Sequence, residues 1–412
     1  MKSQKGMNNI NTAIIPYGYG TWVYDKFFPT DGSKAFTKPG LLSSNLTSYN
    51  QEAKGFTFTQ IFAYGGDIEM YCRGSGESDP SEPCTVDGKE PTILTTYPGV
   101  YKDKYVGHRS QEAYYNLPGV RQNLLIIDGR MDQDIKAGDY DYLNSLNILL
   151  PAEAILFADV VSTAICQDDF VDGVQFDVEP FSFTGEGGLK KGDGQKYFYT
   201  QIAKNFAGWN GQPDNSGINP NLSSDPLGCV NSHHPNGRIF SVFTFAQSVT
   251  PDVVAAFKQY NNGYIVDSLY DLGPLPGGQL NSVADFAKYA AQEIADMKTK
   301  NVPYQFAIPA AASAHEFETT TNSGVQGIGV GNQIEYIKAV IAAIDPITLR
   351  QSDLNFKGID IWSWNQKMTW HGNEYTPASP PVEILEYLES LNLNALLDLD
   401  LNGQCELFHV DL

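Results

Sequence analysis

The sequence has no run of about eighteen apolar residues of the kind a membrane-spanning helix needs. Its first twenty residues hold neither an uninterrupted apolar stretch nor a small-residue cleavage site. The chain is expected to be soluble, and export would require a signal outside these residues. Basic residues are scarce: Lys and Arg number 27 against 48 Asp and Glu, a net charge of −21. A field of that sign repels phosphate backbones and anionic lipid, which excludes nucleic acid and membrane surfaces as partners. Cysteine is scarce too. Cys72, Cys84, Cys166, Cys229 and Cys405 offer no CxxC spacing, so no disulfide-scaffolded miniprotein and no zinc or redox motif is expected. Only Cys72 and Cys84 invite pairing, across the Gly/Ser/Pro/Glu stretch from Arg73 to Pro83. A loop-closing disulfide and two free thiols both fit, and the compartment stays open. A GxSxG nucleophile elbow, internal repeats and a Pro-rich linker are also absent.

What is present is a chain of 412 residues, 42% hydrophobic, with 38 Gly and 23 Pro spread along it, which describes a globular protein with long ordered loops. Eight short apolar, β-branched or aromatic runs read as strands: Asn11 to Tyr19, Phe56 to Tyr64, Gln122 to Gly129, Gly173 to Glu179, Ile239 to Ala246, Tyr264 to Leu272, Tyr304 to Ala310 and Phe356 to Trp364. Several lack polar alternation, as parallel strands covered on both faces do. Helical stretches fall between them, at Ala152 to Ile165, Tyr197 to Trp209, Ser282 to Lys300 and Gln333 to Ala343. This predicts an α/β fold, a single (β/α)8 TIM barrel over residues 1–412 with long loop insertions. Its core runs from about 10 to 384, and 385–412 form a C-terminal appendage. A doubly wound sheet with an added domain is the alternative. The segments Gly65 to Gln122 and Gly211 to Arg238 read as loops at the barrel rim.

The sharpest local feature is VDGVQFDVEPF, Val171 to Phe181. On a strand, Gln175, Asp177 and Glu179 leave one face and Phe176 and Val178 the other. If the polar face lines a barrel, two carboxylates sit together at the C-terminal end of a strand, where barrel enzymes keep their chemistry. Mutual repulsion and burial there would keep one of them protonated. An edge strand with its polar face in water is the competing reading.

Asp172, Gly173, Gln175, Asp177 and Glu179 stand in the frame DxxDxDxE, and in this the chain resembles glycoside hydrolase family 18, which holds chitinases, endo-β-N-acetylglucosaminidases and inactive chitin-binding lectins. Three of the four acids match; Gln175 replaces the second. VDSLYDLG, with Tyr270 and Asp271, looks like the family's strand-6 motif, GIDIWSW with Trp362 like its strand-8 segment, and AIPAAAS more weakly like strand 7. The resemblance implies substrate-assisted retaining hydrolysis of β-1,4 linkages in N-acetylglucosamine glycans. Glu179 would be the acid/base, Asp177 would orient the acetamido group, Tyr270 would donate to its oxygen, and Trp362 would floor the sugar. Asp271, Gln175, Asp172 and Tyr64 are further substrate-binding candidates. The implied partner is an oligosaccharide or a glycoprotein glycan, with no cofactor and no metal, and the protein is expected to be a secreted monomer.

The chain departs from the family at Gln175, which cannot carry charge, and at strand 3, where IIDGRMD stands in place of an SxGG motif; Asp128 and Arg130 there pair with each other or reach the site. These departures keep two alternatives in play. One is a weak or inactive glycan-binding lectin on the same barrel, which the presence of Glu179 argues against. The other is an unrelated barrel enzyme using Asp128 or Asp271, which Tyr270 argues against. Tyr17, Tyr19, Trp22, Phe62, Tyr64, Trp209, Trp364 and Trp370 lie near strand ends and either stack on sugars or pack in the core. His233 and His234 read as a solvated loop, and Gly327, Gly329 and Gly331 as a loop without the dinucleotide fingerprint.

Overall fold

The computed structural model describes residues 15–24, 39–53, 55–72, 101–109, 111–130, 151–179, 181–183, 191–208, 227–269, 282–310, 317, 332–365, 368–370, 373–375 and 380–396. Nine strands form one sheet: β1 (Gly18–Tyr24), β2 (Gln60–Cys72), β3 (Tyr101–Val106), β4 (Gln122–Arg130), β5 (Gly173–Glu179), β6 (Ile239–Thr244), β7 (Gly263–Ser268), β8 (Tyr304–Pro309) and β9 (Phe356–Asn365). Their order is β1-β9-β8-β7-β6-β5-β4-β2-β3, and a further β1–β2 pairing closes the ring. Every pairing around the ring is parallel, so eight strands make a closed barrel and β3 is an antiparallel addition to β2. The doubly wound alternative is thereby excluded.

Strand alternation sorts the side chains into two cores. Leu125, Ile127, Val174, Phe176, Val178, Val242, Ile265, Phe306 and Ile361 face outward to the helices. Trp22, Phe62, Leu124, Ile126, Phe243, Tyr264, Val266 and Ala307 fill the barrel itself, with Trp22 stacked on Phe62 at 5.6 Å. The helices cover the outside with the faces that their periodicity marks. In the helix Val283–Met297 the buried residues are Phe286, Ala290, Ile294 and Met297, and Ser282 starts it with a capping box to Asp285.

The expected strands recur in the barrel, the fourth with its bounds unchanged at Gly173–Glu179. Three expectations need correction. The first strand lies at Gly18–Tyr24, later than Asn11 to Tyr19, because Gly20 must sit inside it: a β-carbon there would come within 2.1 Å of Asp360 Oδ1. The segment after Gly65 is not wholly loop, since β2 runs on to Cys72 and pairs with β3. The described disulfide joins Cys166 to Cys229, at the barrel's N-terminal end, across 63 residues of sequence; the side chains of Cys72 and Cys84 lie outside the described residues.

The base is tied by further buried contacts. Arg238 is fully buried and its guanidinium donates to the carbonyls of Val171, Cys166 and Asp168. The helix Val382–Ser390 leads to Leu393, whose carbonyl accepts from the Tyr19 hydroxyl at 2.9 Å. Among the described residues no helix is long and apolar enough to cross a membrane.

Candidate active site

The site is built by register. Tyr64 pairs with Ile126, Ile126 with Gln175, Gln175 with Ser241 and Ser241 with Tyr264, so these five neighbours form one line across β2, β4, β5, β6 and β7. Four of the five are polar but uncharged. Ser241 Oγ donates to Gln175 Oε1, and Gln175 Nε2 donates to the Phe176 carbonyl at 3.2 Å. Gln175 is fully buried and held from both ends of its amide.

One step nearer the strand ends the chemistry changes. Asp67 pairs with Asp128, and Asp128 with Asp177, three carboxyl residues side by side across β2, β4 and β5. Glu179 stands two residues above Asp177, opposite Arg130. Burial along β5 falls towards its C-terminal end: Gln175 is buried, Asp177 half-buried and Glu179 exposed. The pleat therefore lifts the polar row from the barrel floor to the solvent edge.

Asp67 reaches this line through a bulge. The β2–β4 register shifts between Tyr64 and Gly66, which takes up one residue and turns both Tyr64 and Asp67 inward. Gly65 permits it: a β-carbon there would fall within 1.9 Å of Leu125 Cγ. The Tyr64 hydroxyl donates to Asp67 Oδ2, and the Arg109 guanidinium covers the Tyr64 ring at 4.7 Å. Burial, with Asp67 and Asp128 nearby, pushes the Tyr64 phenol far above its ordinary range, so it stays protonated and donates. Tyr64 is thus buried with its hydroxyl directed to Asp67. Asp67, Arg109 and Ser241 were not among the expected site residues; the doubled glycine inside an apolar strand was the signal for the first of them.

The floor carries one more acid. Asp360 lies two residues before Trp362 on β9, fully buried, and burial holds its carboxyl well above the usual range despite a bond from the Gly20 amide. Trp362 is half-buried and packs on the inner core. Asp172 sits elsewhere, at the base just before β5, where Oδ2 accepts from the Asn123 amide at 2.8 Å and Oδ1 lies 3.4 Å from His234 Nδ1. His234 is buried there, not solvated; His233 is exposed. Of the aromatics, Tyr17 and Tyr19 lie at the base, Trp22 and Phe62 fill the barrel, and Trp364 faces outward against Phe58 and Tyr49. Tyr270, Asp271, Trp209 and Gly327 to Gly331, and the side chains of Arg130 and Trp370, lie outside the described residues. Among the described residues no group of three or more His, Cys, Asp or Glu could hold a metal.

No family model matches the chain, and no curated protein does. Among solved structures it is similar to a β-glucuronidase from Ruminococcus gnavus in complex with an N1-substituted uronic isofagomine, at 11% identity and a TM-score of 0.42 over 92% of this chain and 49% of that one. The chain thus spans about half the length of that protein. It is also similar to a glycoside hydrolase family 5 enzyme from Prevotella bryantii B14, at 11% identity and a TM-score of 0.44 over 95% and 100% of the two chains. A third is the GH18 chitinase from the chitin utilization locus of Flavobacterium johnsoniae, at 12% identity and a TM-score of 0.40 over 92% and 95%. Likeness at these values carries no weight for the chemistry, and the barrel rests on its own strand pairings.

Proposed function

We propose that the chain is a glycoside hydrolase that cleaves β-1,4 linkages beside N-acetylglucosamine, in chitin-like oligomers or the chitobiose core of N-glycans. The observation that carries this reading is the gradient along β5, from buried Gln175 through half-buried Asp177 to exposed Glu179 on one inward face. A proton donor at the solvent edge with a second carboxyl one pleat below it is the arrangement that substrate-assisted hydrolysis needs. Glu179 passes its proton to the glycosidic oxygen as the acetamido carbonyl oxygen attacks the anomeric carbon and the leaving sugar departs. Asp177 accepts from the acetamido N–H and balances the positive charge of the cyclic intermediate. Water then attacks the anomeric carbon, gives its proton to Glu179 and reopens the ring with retained configuration. Trp362, resting on the inner core, offers an apolar face to the sugar; Tyr270 and Asp271 complete the acetamido and sugar contacts. The Cys166–Cys229 bridge supports action outside a reducing cytosol.

The neutral, firmly held Gln175 favours one competitor, a lectin that binds the same glycans without cutting them. Fluorogenic chitobiosides and chitotriosides, beside a high-mannose glycopeptide, separate the two with wild type, Glu179→Gln and Gln175→Asp. Release by wild type that vanishes in Glu179→Gln supports the hydrolase and chooses its substrate. No release on any of them, with oligosaccharide binding retained, overturns it in favour of the lectin.

A further inference from the structure

We infer that Asp128 shares one proton with Asp177 and so acts as the positioning residue that sets the charge and direction of the Asp177 carboxyl. The proton sharing rests on strand register and burial; its use in turnover rests on the hydrolase reading above. Asp128 and Asp177 are register partners on adjacent parallel strands, which places their backbones about 4.8 Å apart. Both point into the barrel. The outward-facing neighbours of Asp128 and Asp177 are Ile127, Phe176 and Val178, all in the outer core, whereas Leu124 and Ile126 line the barrel interior. One carboxylate oxygen of each residue is shielded from solvent. Two carboxyls so placed cannot both ionise cheaply, and a single proton held between them is the low-energy arrangement.

The surroundings favour that pair over other ways of dispersing charge. Directly below, Gln175 and Ser241 are uncharged and already bonded to each other, so neither takes up a proton from Asp177. On β2, Tyr64 donates to Asp67, and Arg109 lies over the Tyr64 ring. Among the described side chains the cation near this line is Arg109, over the Tyr64 ring beside Asp67; Arg130 follows Asp128 by two residues on β4, in register with Glu179. Glu179 stands above Asp177 at the solvent edge, and Tyr199, from the helix Lys191–Phe206, lies near Asp177 on the outer side of β5 with its phenol pushed up by burial and by Asp177. With Asp128 protonated, its O–H donates to Asp177, which keeps its negative charge and one fixed oxygen. The other Asp177 oxygen faces the substrate and accepts its N–H.

The test reads the proton directly and then its use. In protein labelled with 13C at the aspartate carboxyls, the Asp177 signal should move in two separated steps as pH rises, and in Asp128→Asn in one step between them. A single Asp177 step that Asp128→Asn leaves in place overturns the sharing. Asp128→Glu, which keeps a carboxyl, should retain two steps and serves where the asparagine variant folds poorly. In kinetics, Asp128→Asn should lower kcat/KM on the chitotrioside about tenfold and raise the acid limb of the pH profile by about one unit, with Gln175→Asp in that background restoring part of the loss. Two-step titration with an unchanged pH profile in Asp128→Asn overturns the positioning role. Absence of hydrolysis by wild type defeats the hydrolase reading alone, because the carboxyl titration still decides the shared proton.

Discussion

The two ends of the barrel treat carboxyl groups in opposite ways. At the base, Asp168 meets His108 Nε2 at 3.0 Å and the Phe170 amide at 2.9 Å, Asp172 meets the Asn123 amide and His234, and Arg238 is spent on three carbonyls. At the rim, Asp67, Asp128 and Asp177 stand beside one another on neighbouring strands with Glu179 just above. Partnered acids fix a loop to a strand and stabilise; crowded acids are held against their own repulsion by the rest of the fold, and that is where protons can be moved. The motif DxxQxDxE spans both regimes, because seven residues of strand carry Asp172 and Glu179 to opposite ends of β5.

The largest expected effect breaks the rim alone. Glu179→Gln should reduce hydrolysis of chitotriosides by about 10²–10⁴-fold while leaving the melting temperature unchanged, since Glu179 is exposed at the end of its strand. A melting temperature that falls with activity would give Glu179 a structural role and blur the contrast between the ends.

The next breaks the base alone. Replacing Cys166 and Cys229 by Ala removes a link across 63 residues of sequence, worth about 4 kcal/mol in the chain-entropy account. Denaturant unfolding should show that loss, with kcat of the surviving folded protein unaffected. A change in kcat with little change in stability would show that the base is coupled to the site.

A third probe sharpens how the rim is assembled. Gly65→Ala pushes a β-carbon into the Leu125 side chain at the bulge that presents Tyr64 and Asp67, an overpacking cost of about 1–3 kcal/mol. Thermal unfolding measures it. Activity should fall further than the stability loss explains, because Asp67 leaves its register with Asp128; activity that tracks stability alone would remove Asp67 from the site.

These contrasts also mark how far the sequence could be read. Runs such as NLLIID and GVQFDVE announce strands because both faces of a barrel strand are covered, and period two then assigns Gln175, Asp177 and Glu179 to one side. Which side faced inward was not legible, since that depends on strands distant in sequence: Leu124 and Ile126 line the interior only because β4 lies between β2 and β5. The bulge at Gly65 and the Cys166–Cys229 bridge were missed for the same reason. Both depend on a neighbour brought up by folding, Leu125 in one case and a loop 63 residues away in the other. Asp172 was misleading because a motif frame counts residues and ignores where the strand begins.

The effect that needs a double comparison to be seen at all is a pH dependence that cancels in the wild type and appears when one partner is removed. His234 Nε2 faces the Asp169 carbonyl at 3.0 Å, which can only accept, so Nε2 carries the proton of the neutral ring; Nδ1 then faces Asp172 Oδ1 at 3.4 Å and can accept from it only while that carboxyl is protonated. Burial, and then Arg238, lower the His234 imidazole to about 4, and burial raises Asp172 to about 6 against the Asn123 amide and Arg238. The raised Asp172 gives stability that is full below its unfolded value near 4 and is lost as pH rises through about 6. The lowered His234 works in reverse: its contribution is full above about 6.5 and is lost as pH falls through about 4, because the unfolded chain takes up the proton first. Each term is on the order of 3 kcal/mol, of opposite slope over nearly the same window, so the two largely cancel between about pH 4 and 6.5, where the raised Asp360 and the other buried carboxyls set what slope the wild type shows. His234→Gln should leave the Asp172 term exposed, so that unfolding free energy rises as pH falls from 6 to 4; Asp172→Asn should make it fall. Equal slopes in both variants would show that the two groups titrate as an ion pair, and that the base holds charge as the rim does.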